Sequence, residues 1–340
     1  MKVRKQMLTC IASSCCFFVL ILDSKTAVQG ALDGIWLCIN TVVPSLFPFF
    51  VISTILNKSL IGRQIKIMRP IGDLCGIPRG AESLLLLGIL GGYPVGAQSI
   101  YEAYKNGSIS EECAKRLLGF CNNAGPAFVF GMAGSIFEHK ACGFFLWGII
   151  IISTILTGIL LPKTKTTSCK IQKPAPITIP EAIEKSLKSM VSVCAWVMLF
   201  KVILSYLDSF LIRENPTPYR VLLINALELS NGCITLSDVA NQGVRFIICA
   251  GSLAFGGLCV SMQTLSVVKE LGAGMYFPGK LVQSSISVIL AHLTQRLVFS
   301  ESDRLSSSLL PVIVIITLLI FVIYIRKLKN NSGNLISNHV

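Results

Sequence analysis

Long apolar stretches separated by short polar segments run through the chain and predict an all-α polytopic membrane protein. Residues 141–161 and 306–325 carry no charge and reach the length of a bilayer-crossing helix, which needs about 20 apolar residues. A basic start followed by the apolar run 7–22 predicts a retained amino-terminal transmembrane helix within residues 1–27, in preference to a cleaved signal peptide.

Two other apolar stretches are interrupted by a glycine pair, at corresponding places in the two halves of the chain. Gly91-Gly92-Tyr93-Pro94 divides residues 81–106, and Gly256-Gly257 divides residues 242–271. Neither arm of the first stretch can span a hydrocarbon core of about 30 Å at 1.5 Å per residue, so re-entrant helical hairpins are predicted at both places. Paired interruptions of this kind indicate the substrate site of a secondary transporter.

A third interruption predicts a broken transmembrane helix. Asn122-Asn123-Ala124-Gly125-Pro126 lies within the predicted helix 110–137, and a Ser110-Glu111-Glu112 start favours a capped amino-terminal end. Proline removes a backbone donor and breaks a helix where a cavity or neighbouring helices can satisfy the carbonyls that are left.

The order of these elements predicts two inverted repeats, each with one hairpin and one broken or partly broken helix. The first repeat covers residues 28–161, a basic linker covers 162–180, the second repeat covers 181–326, and a polar tail covers 327–340. Inversion sends the second hairpin in from the opposite face and places the tail outside the cell. Arg326, Lys327 and Lys329 favour the cytoplasmic side instead, and the repeat is given more weight.

Composition and charge exclude several functional classes. The chain is 53% hydrophobic and 14% charged, which is too apolar for a soluble domain. Its net charge of +13 resides in clusters beside apolar spans, as at cytoplasmic helix ends, so membrane lipid is an expected partner and nucleic acid is not. The 13 cysteines form no CxxC pair, and no hydrolase, metalloprotease or nucleotide-binding motif occurs, which argues against a metal, a cofactor and an enzyme.

Four motifs resemble the sporulation integral membrane protein YlbJ family, which belongs to the nucleoside-recognition, or Gate, domain group. They are Pro44-Ser45-Leu46-Phe47-Pro48-Phe49-Phe50, Gly91-Gly92-Tyr93-Pro94-Val95-Gly96-Ala97, Cys121-Asn122-Asn123-Ala124-Gly125-Pro126 and Phe255-Gly256-Gly257-Leu258. The resemblance covers roughly residues 35–299. It implies a core similar to that of concentrative nucleoside transporters, with two opposed hairpins and two broken helices around a midplane site.

The same resemblance implies movement of a small polar or anionic solute during bacterial sporulation. Dipicolinate uptake toward the forespore is the favoured activity, in the cell membrane or the outer forespore membrane, and a homo-oligomer is implied by the distant similarity to nucleoside carriers. A nucleoside-type carrier and a non-transporting membrane scaffold are the alternatives. Because the second half has no Asn-Asn-x-Gly-Pro equivalent, the site is expected to be chemically lopsided.

The candidate substrate-binding residues are those at or near the interruptions, together with one membrane histidine. They are Gly91, Gly92, Pro94, Gln98, Asn122, Asn123, Gly125, Gly256, Gly257, Gln263 and His292. The glycines either let a solute approach unpaired N–H groups or let helices pack closely. The asparagines either bind solute or cap the broken helix, and the glutamines either bind solute or bridge the hairpin arms.

Three charged residues complete the candidate set. Glu228 lies in an apolar setting, where it either couples transport to H⁺ or Na⁺ or faces water from a surface helix. Lys280 and Arg296 are expected to snorkel from the two ends of one polar helix, so His292 is the expected interior group of that helix.

Overall fold

The computed structural model describes residues 2–60, 63–163, 176–211 and 218–300, which form fifteen α-helices. The first eight are α1 (Lys2–Leu22), α2 (Ser24–Leu37), α3 (Val43–Leu60), α4 (Arg69–Leu74), α5 (Glu82–Leu90), α6 (Val95–Lys105), α7 (Glu111–Leu117) and α8 (Pro126–Phe128). The others are α9 (Ala141–Leu160), α10 (Ile179–Leu211), α11 (Pro218–Leu227), α12 (Leu229–Leu236), α13 (Gln242–Phe255), α14 (Gly257–Val268) and α15 (Tyr276–Val298).

The outer surface of this helical bundle is apolar. Trp36, Phe144 and Val191 are 66%, 68% and 67% exposed, on α2, α9 and α10. Large apolar side chains exposed on several helices are unfavourable in water and fit contact with lipid. Four stretches of the described residues are long and apolar enough to cross a membrane: Ser24–Leu60, Ala141–Leu160, Ile179–Ser209 and Gln242–Leu271.

These stretches support an integral membrane protein that crosses the bilayer several times. The predicted span at 141–161 is confirmed as α9. A π-helical turn, Cys38–Val42, joins α2 to α3 in one continuous stretch, although Pro48 lies inside it. The predicted helix 306–325, the tail 327–340 and most of the linker 162–180 lie outside the described residues.

Charged side chains mark two opposite ends of the bundle. At one end, called the lysine end, Glu102 contacts both Lys58 and Lys185, and Lys105 pairs with Glu270. At the other end, called the Arg245 end, Arg245 donates hydrogen bonds to the carbonyls at the ends of two helical segments, those of Ile136, Ser237 and Val239. Helix α10 connects the two ends, because Lys185 lies near its start and Asp208, paired with Arg220, lies near its finish.

Two helix pairs enter this bundle from opposite ends. Helices α5 and α6 pack against each other around residues 91–94, and α6 ends at Lys105 at the lysine end. Helices α11 and α12 pack against each other around Glu228, between Arg220 and Val239 at the Arg245 end. The predicted hairpin at 81–106 therefore corresponds to a packed helix pair.

The predicted hairpin at 242–271 is wrong. Helix α13 packs on α15 and α9, whereas α14 packs on α6 and α10, and the two do not form a packed pair. Gly256 and Gly257 adopt left-handed φ values of 85° and 74°, which end one helix and allow the next to start at an angle. Together α13 and α14 form one broken helix that runs from Arg245 to the lysine end at Glu270.

The first-half broken helix follows the prediction more closely. Helix α7 ends at Leu117, residues 118–125 are not α-helical, and α8 continues through a π-helical turn and a 3-10 turn as far as Ile136. The non-helical segment 118–125 crosses α5 and α6. A β-carbon built on Gly88 would lie 2.1 Å from the Cys121 carbonyl oxygen, and one built on Gly96 would lie 2.4 Å from it. Glycine at both positions therefore lets the two elements meet backbone to backbone.

Candidate functional site

Four interruptions of the helices meet in the interior of the bundle. They are residues 91–94 between α5 and α6, 118–125 between α7 and α8, Glu228 between α11 and α12, and Gly256 between α13 and α14. Tyr93 connects two of them, because its hydroxyl lies 3.2 Å from the Leu253 carbonyl oxygen and 3.3 Å from that of Ala254, at the end of α13.

The predicted glycines lie at the closest contacts between these interruptions. A β-carbon on Gly92 would lie 3.0 Å from the backbone nitrogen of Gly125, and one on Gly256 would lie 3.1 Å from the Tyr93 ring. One on Gly257 would lie 3.2 Å from the Asn225 carbonyl oxygen, in α11. These distances support the close-packing interpretation of the glycines, and they bring the interruptions of both halves together.

A small cavity lies at this meeting point. Predicted residues Gly91, Gly92, Gly125, Glu228 and Gln263 line it, together with apolar side chains that include Phe50, Tyr93, Val197 and Val260. About 40 Å³ is open to the centre of a water molecule, which is room for about three waters.

Glu228 is buried in the wall of this cavity, with 1% of its surface exposed. Its carboxylate caps α12, accepting hydrogen bonds from the backbone nitrogens of Ser230 (3.0 Å) and Asn231 (2.6 Å), and from the Asn231 side chain (2.7 Å). The Asn231 amide oxygen in turn accepts from the Lys201 ammonium at 3.1 Å. The alternative in which Glu228 faces water from a surface helix is wrong, because the tip of the α11–α12 pair turns into the bundle.

Asn122 and Asn123 are fully buried and join different elements. The Asn122 amide accepts from the backbone nitrogen of Ala97 at 3.2 Å and donates to the Thr264 hydroxyl at 2.9 Å, linking α6 to α14. Asn123 donates to the Phe120 carbonyl at 2.9 Å, which stabilises the non-helical segment 118–125 before Pro126. Its amide oxygen accepts from Gln283 at 2.8 Å.

Lys280 does not snorkel, which corrects the sequence prediction. The side chain is 0% exposed, and its ammonium donates to the amide oxygens of Asn123 (3.1 Å) and Gln283 (2.8 Å). It also lies 5.2 Å from the centroid of the Tyr93 ring. Lys280 is buried because the first turn of α15 packs directly on the non-helical segment 118–125. A β-carbon on Gly279 would lie 2.3 Å from the Gly119 carbonyl oxygen. Arg296, near the other end of α15, is exposed.

Gln283 is a member of this cluster that sequence reasoning missed. Its amide nitrogen bridges Asn123 and the Thr154 hydroxyl, the latter at 2.9 Å. The spacing Lys280-x-x-Gln283 places both side chains on one face of a helix, and that spacing is the only sequence signal that could have linked them.

Two predicted residues lie elsewhere. Gln98 faces α10 near the lysine end, where its amide lies 3.5 Å from Glu102 and from the Ser189 hydroxyl. His292 is buried on α15 twelve residues beyond Lys280, about 18 Å along the helix, and its Nδ1 lies 3.1 Å from the Gln295 amide. Pro94 stays at the α5–α6 tip as the residue that precedes α6.

Among the described residues, no cluster of His, Cys, Asp or Glu could hold a metal ion.

Fold and site together define an integral membrane protein whose interior polar groups gather where its helices are interrupted. The chain is 22% identical, over 323 residues, to the sporulation integral membrane protein YlbJ of Bacillus subtilis (strain 168), and the match covers 80% of this chain and 78% of that protein. The resemblance to YlbJ seen in the motifs is thereby confirmed. No protein-family model matches the chain, and no solved structure matches it significantly.

Proposed function

We propose that this protein transports a small polar or anionic solute across a bacterial membrane during sporulation. The observation that carries the proposal is the convergence of two packed helix pairs, from opposite ends, and two broken helices on one cavity in an apolar bundle. This arrangement is the one expected of transporters that move elements around a fixed central site. The similarity to YlbJ, whose name assigns it to sporulation, supports the physiological setting.

Dipicolinate is the solute that we propose first, taken up toward the forespore through its outer membrane. Access would alternate through outward movement of the α5–α6 pair toward the lysine end and of the α11–α12 pair toward the Arg245 end. The first movement breaks the hydrogen bonds of the Tyr93 hydroxyl and the contact of Gly92 with Gly125, both of which hold the tip of α5–α6 in place.

Glu228 is the residue that we propose for coupling to H⁺ or Na⁺. It is a carboxylate in the cavity wall, and its negative charge is balanced by N–H donors and by the more distant Lys201 rather than by a direct ion pair. Ionisable groups inside a membrane bundle commonly mark an ion or proton path.

The proposal is tested by uptake into vesicles that contain the purified full-length protein. Labelled dipicolinate should accumulate, and Gly257→Leu should abolish uptake because the new side chain meets carbonyls of α11 in a left-handed backbone position. Gly148→Leu is the matched control, since a β-carbon at Gly148 meets nothing within 4 Å.

Uridine provides the arm that tests a nucleoside-type carrier. Uptake of uridine without dipicolinate would replace the proposed solute while keeping the transporter. If neither solute crosses and neither binds, the transporter proposal fails and a membrane scaffold becomes the better interpretation. Normal uptake by Gly257→Leu would mean that the meeting point of the helices does not form the site.

A further inference from the structure

Four charged side chains among the described residues are almost completely buried, and three of them have evident structural partners. They are Glu82, Arg116, Glu228 and Lys280. Glu82 pairs with Arg69, and Glu228 caps α12. Arg116 binds the carbonyl oxygens of Gly158, Leu161 and Pro162 at the end of α9.

Lys280 differs from these three. Within the described part of the chain it forms no ion pair, and its two hydrogen-bond acceptors, the amide oxygens of Asn123 and Gln283, are neutral. A buried ammonium is costly unless a negative charge compensates it, and inside a membrane such a group is a functional candidate. An anionic ligand would supply the negative charge that the described residues do not provide to Lys280.

The surroundings of Lys280 suit a carboxylate. Asn123 and Gln283 carry both donors and acceptors, so rotation of their amides would turn N–H groups toward an incoming anion. A carboxylate adds the attraction of a full opposite charge to the hydrogen bond from an ammonium, which a neutral amide oxygen does not provide. A carboxylate would therefore displace the two amide oxygens from the ammonium.

Tyr93 lies between this cluster and the cavity. Its side chain lines the cavity, and its ring lies 5.2 Å from the Lys280 ammonium. Because Tyr93 belongs to the tip of the α5–α6 pair, movement of that tip would remove the ring from Lys280 and open the ammonium to the cavity.

We propose that Lys280, with Asn123 and Gln283, forms the subsite that binds one carboxylate group of the transported solute. This inference rests on the proposed transport function, which it deepens by naming the group that selects an anion. Glu228, at the start of α12, lines the cavity and would repel that group, so the carboxylate is directed away from Glu228 and toward Lys280.

The test is calorimetric binding to the purified full-length protein in detergent, with three probes of one shape: pyridine-2,6-dicarboxylate, pyridine-2-carboxylate and pyridine-2,6-dicarboxamide. Lys280→Gln should weaken dicarboxylate binding by at least about ten-fold, while Lys280→Arg retains most of it, because the charge-assisted bond to the ligand is lost only in the first variant. Dicarboxylate binding to Lys280→Gln at the unmodified affinity would overturn the proposal.

Unmodified protein gives a second reading that does not depend on how the variants fold. The dicarboxylate should bind more tightly than the dicarboxamide, with the monocarboxylate retaining most of the difference because one ammonium binds one carboxylate. Equal binding of the dicarboxamide, or no binding of either carboxylate, would overturn the subsite. Inorganic phosphate that competes as well as the monocarboxylate would overturn the assignment to carboxylates.

The experiments can contradict the transport proposal and the subsite proposal independently of each other. Dicarboxylate uptake by vesicles with an unchanged KM in Lys280→Gln would remove the subsite and leave the transporter. Charge-selective binding that depends on Lys280, in a protein that moves no solute, would remove the transporter and leave the binding site.

Discussion

At the scale of the residue, Gly92 is constrained by both its backbone conformation and its neighbours. Its φ of 72° is left-handed, and a β-carbon there would lie 3.0 Å from the Gly125 nitrogen. Gly107 is also left-handed, at 68°, but a β-carbon there meets nothing within 4 Å. Gly107→Ala should lower the free energy of unfolding by about 1–2 kcal/mol.

Gly92→Ala should lower the free energy of unfolding by about 1–3 kcal/mol more than Gly107→Ala does, because the backbone of Gly125 must also shift. The measurement is reversible unfolding of the two purified variants in mixed micelles. Equal losses would show that Gly92 and Gly125 are not in close contact.

Glu228 leads to a prediction about ion coupling. In Glu228→Gln, one amide oxygen still caps α12, but the group can no longer be protonated or balance a bound cation. We expect the variant to equilibrate solute across vesicles and to lose accumulation driven by an imposed proton or sodium gradient. The control is Glu184→Gln, an exposed carboxylate paired with Lys188 on α10. Gradient-driven accumulation that survives in Glu228→Gln would exclude Glu228 as the coupling group.

Sequence patterns identified several of the site residues and misjudged the surroundings of others. Gly92, Gly125 and Asn123 stand out because glycine, proline and paired amides are conspicuous within an apolar stretch. Lys280 does not, because a lysine in the first turn of a helix is the ordinary pattern of a snorkelling residue. Its burial depends on Gly119 in a distant segment of the chain, which local patterning does not reveal.

At the scale of the element, Arg116 joins the first broken helix to α9. Its guanidinium lies on α7 and binds three carbonyl oxygens at the end of α9, at 2.6 to 3.3 Å. Arg116→Met leaves buried carbonyls without these donors, so the free energy of unfolding should fall by about 1–3 kcal/mol. The neighbouring Lys115 is partly exposed and pairs with Glu111. Lys115→Met should change stability by no more than about 0.5 kcal/mol, and similar losses in both variants would argue against the capping role.

Of the four interruptions that meet in the interior of the described bundle, the sequence predicted three and missed the one at Glu228, and it assigned the helix pair of the second half to residues 242–271 instead of α11–α12. A glycine pair in an apolar stretch ends a helix whether the chain then reverses or continues, so Gly256-Gly257 resembled a hairpin tip. The actual helix pair, α11–α12, turns at Leu227-Glu228 without a glycine or proline, because the Glu228 side chain caps the new helix. Its two short arms resembled an amphipathic surface segment.

At the scale of the whole molecule, the two halves correspond more closely once α11–α12 is taken as the helix pair of the second half and α13–α14 as its broken helix. In each half a helix pair is followed by a broken helix and then a plain one: α5–α6, α7–α8 and α9 in the first, and α11–α12, α13–α14 and α15 in the second. The chemistry remains lopsided, as expected, because the paired asparagines belong to the first broken helix and the buried carboxylate to the second helix pair. The proposed carboxylate subsite at Lys280 and the proposed coupling residue Glu228 suit a solute and a coupling ion of opposite charge.

The assignment of α13–α14 as a broken helix also predicts on which side of the membrane the carboxyl tail lies. Because α13–α14 crosses the bundle, α15 runs from the lysine end toward the Arg245 end, and the predicted helix 306–325 would return residues 327–340 to the lysine end. Arg326, Lys327 and Lys329 would then share a side with Lys58 and Lys163, as the preference of basic clusters for the cytoplasmic side predicts. The conflict between the repeat and the tail arose from treating 242–271 as a hairpin.

Protease sites inserted singly into the full-length protein test this topology. A site after Ala240, beside the Arg245 end, should be cut in intact spheroplasts, whereas sites after Gly272 and after Val340 should be cut only in inverted vesicles. All three should be cut once detergent dissolves the membrane. Cleavage after Ala240 and Gly272 from the same side would restore the hairpin at 242–271, because α13–α14 could not then cross. Cleavage after Val340 from outside, with the other two sites as expected, would contradict only the predicted last helix.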